Sequence, residues 1–201
     1  MSETRPQITD LVTRLNAKTD SQSLAILQRL TNLFLDKCDT FCDEHIAVFD
    51  DIIGALIERA PDEALAELSY KLAKIDNAPT NVVTHLAQHD DISVAGPLLE
   101  ISTQISDETL AEIAETKSEK HRAAIAARKT LSTTVTDMLV KRGHAAVAYK
   151  VTANPDAHFS ELGFVRLINH AKTDRDLAQA LAGRTDIPTE LEPFLKLALA
   201  S

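Results

Sequence analysis

Apolar residues recur three or four positions apart along almost the whole chain, the spacing of one buried helical face. In "LAILQRLTNLFL" the stripe is Leu24, Leu27, Leu30 or Leu33, and Phe34. "HIAVFDDIIGALIERA" continues with Ile46, Phe49, Ile52, Ile53, Leu56 and Ile57, and Pro61 ends the run. Pro61-Asp62-Glu63 opens the next helix, because proline suits a first turn and carboxylates favour its positive end. Its stripe is Leu65, Leu68 and Leu72. "NAP" at 77–79 leads into Val82, Val83 and Leu86, and Ser106-Asp107-Glu108 opens "DETLAEIAE". No stretch alternates long enough to build a sheet, so the pattern predicts an all-α protein.

From about residue 77 the helices fall into register with one another. One column holds Leu86, Ile125, Val151 and Leu181; another, past the turn, holds Ile92, Leu131, Ala157 and Ile187. A third holds Leu99, Met138, Phe164 and Phe194. Each unit reads as a helix, a tight turn and a second helix, and successive units are offset by 39, 26 and 30 residues. Helix pairs of this kind bury their apolar faces only by stacking. The expected architecture is an N-terminal helical bundle over 1–76 that continues into an irregular HEAT/armadillo-like α-solenoid over 77–201, with one continuous domain as the alternative.

The turn column carries polar residues: His89, Arg128, Asn154 and Arg184. At such a junction, side chains that donate hydrogen bonds can cap the carbonyls left over at the first helix's end. Arg128 and Arg184 are therefore expected to be architectural, with a bidentate anion grip as the alternative. His121 shares a column with Val82, Val147 and Leu177, which places it inside. A neutral, hydrogen-bonded ring is expected there, with a protonation switch as the alternative.

Charge changes the picture in one place. The chain of 201 residues carries a formal charge of −9. Residues 36–115 hold 18 Asp and Glu against 4 Lys and Arg, whereas 117–150 hold 8 Lys and Arg against 2 acids. A cationic block inside an acidic chain faces solvent, its own acidic half or a partner. Overall acidity and an aromatic content of 4% without tryptophan argue against nucleic acid as that partner. No apolar run approaches the roughly 20 residues of a membrane span. "MSETRPQITD" lacks a signal peptide's apolar core, and two neighbouring cysteines make no disulfide framework, which points to the cytoplasm.

Two groups have metal-ligand spacing. Cys38, Cys42 and His45 lie in "CDTFCDEH", and His85 and His89 are four apart in "HLAQHDD". The first group falls in the connection between two helical stripes, with Asp43 as the expected N-cap. The second lacks the glutamate a zinc hydrolase uses as base. No metal and no cofactor is expected. Nucleotide-binding glycine loops and a G-x-S-x-G elbow are absent from the sequence, and the adjacent carboxylates Asp50-Asp51, Asp62-Glu63 and Asp107-Glu108 diverge on a helix.

The stretches "AP" (78–79), "LAQHDDISVAGPLL" (86–99), "HRAAIAARKTLSTTVTDMLVKRG" (121–143), "VTANPDAHFSELGFVRLI" (151–168) and "RTDIP" (184–188) together resemble the bacterial domain-of-unknown-function family 2336. "LFL" at 33–35 and "VFDDII" at 48–53 extend the resemblance to about residue 30. It implies a HEAT-like or armadillo-like helical fold in a cytoplasmic protein, and no enzyme activity, cofactor or substrate. The family usually places an acidic residue where this chain has Gln88 or His89.

The functional expectation is a non-catalytic interaction module or regulatory scaffold that docks an acidic protein or peptide. Its contact residues would be Arg122, Arg128, Lys129, Lys141, Arg142, Lys150, Asn154 and Arg184. The alternative is a small-anion or nucleotide sensor or enzyme, with Arg128 and Arg184 gripping the anion and His121 moving a proton. A third option, duplex DNA on a basic concave face, fits the acidic chain less well.

Overall fold

The computed structural model describes residues 20–199, and the N-terminal stretch "MSETRPQITD" lies outside them. The described residues form α1 (Asp20–Lys37), α2 (Asp43–Ile57), α3 (Asp62–Leu72), α4 (Thr80–Ala87), α5 (Ile92–Ile101) and α6 (Asp107–Thr116). They continue with α7 (Glu119–Ile125), α8 (Thr133–Arg142), α9 (Ala145–Thr152), α10 (Glu161–Ala171), α11 (Arg175–Ala182) and α12 (Glu192–Leu199). A 3-10 turn, Cys38–Thr40, joins α1 to α2. The fold is all-α, and no helix among the described residues is long and apolar enough to cross a membrane. Two compact units divide the chain: one runs to Leu98 and includes Ser102–Ile105, the other takes Leu99–Ile101 and everything from Ser106.

In the first unit α1 packs on α2, α2 on α4, and α3 on α4. Phe34, Ile53, Leu72 and Leu86 are fully buried there. Phe34, Phe41 and Phe49 form an aromatic triangle at the α1–α2 corner, with centroids 5.1 to 5.9 Å apart. Tilted, edge-on and offset stacks of this kind add to area burial. Asn77 ties the corner down by donating from Nδ2 to the Cys38 carbonyl at 2.7 Å. The start of α4 is capped from a distance: its N-cap is Pro79, which offers no side-chain acceptor. Instead the buried carboxylate of Asp50 on α2 accepts from Asn81 N at 3.0 Å and Val82 N at 2.8 Å.

In the second unit the packing follows a rule. Helices α6, α8, α10 and α12 each contact the next of that series, as do α7, α9 and α11. Contacts between α6 and α7, α8 and α9, α10 and α11, and α11 and α12 join the two series. Sequence-local acceptors open several of these helices: Ser106 Oγ accepts from Thr109 N, Ser160 Oγ from Gly163 N, and Asp174 from Leu177 N. The Leu86 and Val82 columns land inside, whereas Ile92, Ile187 and Met138 of the other two are half-buried. In the second unit Ile125, Val151 and Leu181 are fully buried and His121, Val147 and Leu177 are buried one turn before them, as Leu86 and Val82 are in the first unit.

One column member departs further. Leu99 and Phe164 are buried, but Phe194 is 55% exposed. Glu161 opens α10 ten residues after Val151, whereas Glu192 opens α12 eleven after Leu181. One extra residue turns a helix by about 100°, so Leu195 and Ala198 take the inward positions in α12 instead. Layers also approach closely at Gly163, where an added Cβ would lie 2.5 Å from Asp137 Oδ1 on α8.

Two substitutions test this packing. Asp50→Ala strands two amides at the start of α4 and is expected to lower unfolding free energy by about 2–3 kcal/mol, read by urea denaturation. Ser69 is fully buried and its hydroxyl has no hydrogen-bond partner. Ser69→Ala is therefore expected to leave the urea midpoint unchanged or raise it, because it removes an unsatisfied polar group.

Candidate interaction surface

The polar turn column forms a ladder through the second unit. Arg128 Nη1 donates to the Leu99 carbonyl at 2.9 Å. Asn154 Nδ2 donates to the Arg128 carbonyl at 2.8 Å, and Arg184 Nη1 donates to the Asn154 carbonyl at 2.8 Å. Each turn residue thus holds the peptide of the turn or helix end before it. The isolated parallel bridge between Leu131 and Ala157 strengthens the same junction, with Leu131 N on Asp156 O at 3.3 Å and His158 N on Leu131 O at 3.0 Å.

Arg184 is the most heavily engaged rung. Nη1 also reaches the Thr152 carbonyl, Nη2 the Ala157 carbonyl at 2.7 Å, and Nε and Nη2 grip Asp186 at 2.8 and 2.6 Å. Its five N–H groups are all occupied, its side chain is 7% exposed, and its guanidinium lies 4.8 Å from the Phe159 ring centre. Its hydrogen bonds hold the Asp186 carboxyl below the ordinary value of 3.8, against a smaller opposing effect of burial. At Arg128, burial lowers the guanidinium pKa and Asp107 opposes the shift.

The remaining basic residues divide into two kinds. Arg122 Nη1 caps α6 through the Ala114 and Lys117 carbonyls at 2.9 and 2.7 Å, while Nε holds Glu119 at 2.9 Å. Glu119 in turn accepts from His144 N at 2.8 Å and so caps α9. Arg142 and Lys141 both meet Glu115, at 2.9 and 3.4 Å, and lower its pKa. Lys150 Nζ donates to the Ala123 carbonyl at 3.2 Å but stays exposed, as does Lys129.

Those two lysines stand beside an open depression of about 660 Å³ where α7 and α9 end. Ala126, Ala127, Ala146 and Ala153 line it, with Tyr149 and Pro155. A second depression, about 510 Å³, follows between the ends of α9 and α11, lined by His158, Gln179, Gly183 and Asp186 among others. Both share Tyr149, Ala153 and Pro155, so they form one track across three helix ends. Tyr149 is 46% exposed. Sequence reading missed it, although it lies off the buried stripe of Val147, Ala148 and Val151, an aromatic where none is needed for the core.

The other candidates have local explanations. His121 is buried, and its Nδ1 lies 2.8 Å from Ser118 Oγ at the start of α7. Cys42, rather than Asp43, occupies the N-cap of α2, and its Sγ lies 3.3 Å from His45 Nδ1. Asp43 is displaced inward by one position because the chain is already helical there. Cys38 is buried with its Sγ towards the Leu35 carbonyl, not in an open loop. His89 Nδ1 accepts from Asp91 N at 3.1 Å, and Nε2 lies 3.7 Å from Asp62; His85 lies 3.8 Å from Glu58. Among the described residues no group of three or more His, Cys, Asp or Glu side chains is placed to hold a metal ion.

Residues 94–192 match the family model described as "Uncharacterised protein conserved in bacteria (DUF2336)". Over that span, just under half of the chain, the sequence is similar to this family. No curated protein and no solved structure matches it. The DUF2336 span contains the ladder and both depressions, and it excludes Cys38, Cys42, His45, His85 and His89. The stretches "LFL" and "VFDDII" also fall outside it, so the family match is narrower than the sequence resemblance.

Arg184→Ala, which strands three carbonyls and Asp186, is expected to destabilise the protein by on the order of 3 kcal/mol; Arg184→Lys should recover less than half, because it has a single donor centre. The ion pair also carries a pH signature. Because the folded carboxyl has the lower pKa, its stabilisation is complete above the ordinary carboxylate range and is lost as pH falls through the lowered value. Urea unfolding of wild type and Asp186→Asn should therefore differ near pH 7 and converge in acid.

Proposed function

We propose that the second unit is a HEAT-like α-solenoid that acts as a non-catalytic interaction module and docks an acidic segment of a partner protein in the track beside Tyr149. The solenoid reading is supported by the two series of stacked helices, the buried columns and the turn-to-turn ladder. Layers related in this way present a continuous surface suited to extended ligands. The observation that carries the docking site is the open depression where exposed Lys129 and Lys150 flank a bed of alanines and Tyr149. Small side chains admit the partner's main chain, the aromatic ring offers apolar contact, and the lysines favour carboxylates.

This reading narrows the contact set. Arg122, Arg128, Asn154 and Arg184 spend their donors on backbone carbonyls, and Lys141 and Arg142 on Glu115. Lys129 remains as a cation directed at a partner, together with Lys150, whose ammonium gives one of its three donors to the Ala123 carbonyl and stays exposed. The sensor alternative built on Arg128, Arg184 and His121 is weakened at Arg184, since a guanidinium whose five N–H groups are engaged offers nothing to a second anion.

A labelled peptide alternating glutamate with leucine and phenylalanine is the probe. In fluorescence anisotropy it is expected to bind the wild type, weaken with salt, and lose about tenfold or more in affinity to the Lys129→Glu/Lys150→Glu variant. Ala153→Arg, which fills the centre of the track while adding positive charge, should also weaken it. Unchanged affinity in both variants would sink the proposal.

A further inference from the structure

Away from the track, two neighbouring helices of the second unit carry exposed apolar side chains. Leu162 and Val165 lie one turn apart on α10 and are 55% and 37% exposed; Phe194 on the neighbouring α12 is 55% exposed. Leu197, one turn beyond Phe194, is exposed as well. The two helices pack directly against each other, and their buried stripes, Phe164, Leu167 and Ile168 with Leu195 and Ala198, share one core cluster. The core is therefore complete without the exposed set. The same row is polar in earlier layers. Leu162 is the second residue of α10, and the second residues of α8 and α6 are Thr134 and Glu108, both exposed. The apolar character is confined to the last two helices of the row.

Charge decides what such a patch accepts. The whole chain carries −9, so two copies repel over most of their surfaces. On α10 one carboxylate, Glu161, is matched by one cation, Arg166; on α12 Glu192 is matched by Lys196, 3.8 Å away. Each helix sums to zero with histidine neutral. An acidic or a basic partner would select a patch framed by one sign. A patch framed equally by both signs around an apolar centre is complementary to itself when turned about a two-fold axis, with the Glu161 side of one copy facing the Arg166 side of the other.

We propose that α10 and α12 form the interface of a symmetric homodimer. The pairing brings Leu162, Val165 and Phe194 of two copies together as a four-helix contact. Patches of several hundred Å² at helices of this length give interfaces near the lower end of the specific range, about 1,200 Å² in total, so the dimer is concentration-dependent. This inference is independent of the docking track, which lies at the ends of α7, α9 and α11.

Sedimentation equilibrium over a wide range of chain concentrations tests it. The weight-average mass of the wild type should rise from 22.0 kDa towards twice that value. Leu162→Glu/Phe194→Glu, both at exposed positions, should hold the mass at one chain throughout, with an unchanged circular dichroism spectrum. Glu161→Lys should weaken association, and the swap Glu161→Lys/Arg166→Glu should restore it, a rescue that only a second copy of this surface explains. A wild type that stays at one chain at every concentration would overturn the proposal. So would a dimer that persists unchanged in the Leu162→Glu/Phe194→Glu variant.

Discussion

Short helices leave many of their peptide groups without partners, and this protein is built around supplying them. A helix of seven to eleven residues, the length found throughout the second unit, has four unsatisfied amides at one end and four carbonyls at the other. Few groups remain in its middle. Side chains from other helices and turns make up the deficit. At helix starts they are carboxylates: Asp50 reaches α4, Glu119 reaches α9, and Asp137 approaches Ser160 N at the head of α10 at 3.4 Å. At helix ends and turns they are donors: Arg122, Arg128, Lys150, Asn154 and Arg184. Both sets match the helix dipole, negative side chains at the positive end and the reverse.

That constraint accounts for much of the charge asymmetry. The cationic block over 117–150 looked like a surface seeking a partner, yet most of it serves the fold. Three of its arginines are tied to carbonyls or glutamates, and Lys141 shares Glu115 with Arg142. What remains exposed beside the track is a small fraction of the block.

Periodicity made the fold class and the core columns legible, because a buried stripe repeats whatever its neighbours are. The turn column was legible too, since polar residues at equivalent positions share an unsatisfied carbonyl nearby. Three things escaped. Phe194 escaped because a gap-free register cannot detect one added residue in a connection, which rotates the following helix. Asp50 escaped because its partners lie 31 and 32 residues away and an acidic pair on a helix looks like a solvated face. The track at Tyr149 escaped because a depression is defined by missing volume, and alanines that make room look the same in sequence as alanines that fill a core. The cysteine cluster was legible as a corner between helices but not in its detail: Cys42 occupies the N-cap position of α2, and Phe41 beside it completes an aromatic triangle.

The ladder has an evolutionary meaning as well as a mechanical one. Its acceptors at Leu99, Arg128 and Asn154 are peptide carbonyls, the one chemical group that every residue shares. A rung therefore recognises the position of the preceding turn and not its side chain. Arginine and asparagine can occupy equivalent places without any layer needing to adapt to another's sequence. Joints of this kind let whole helix pairs be gained, lost or exchanged as modules, while the surfaces they display diverge independently.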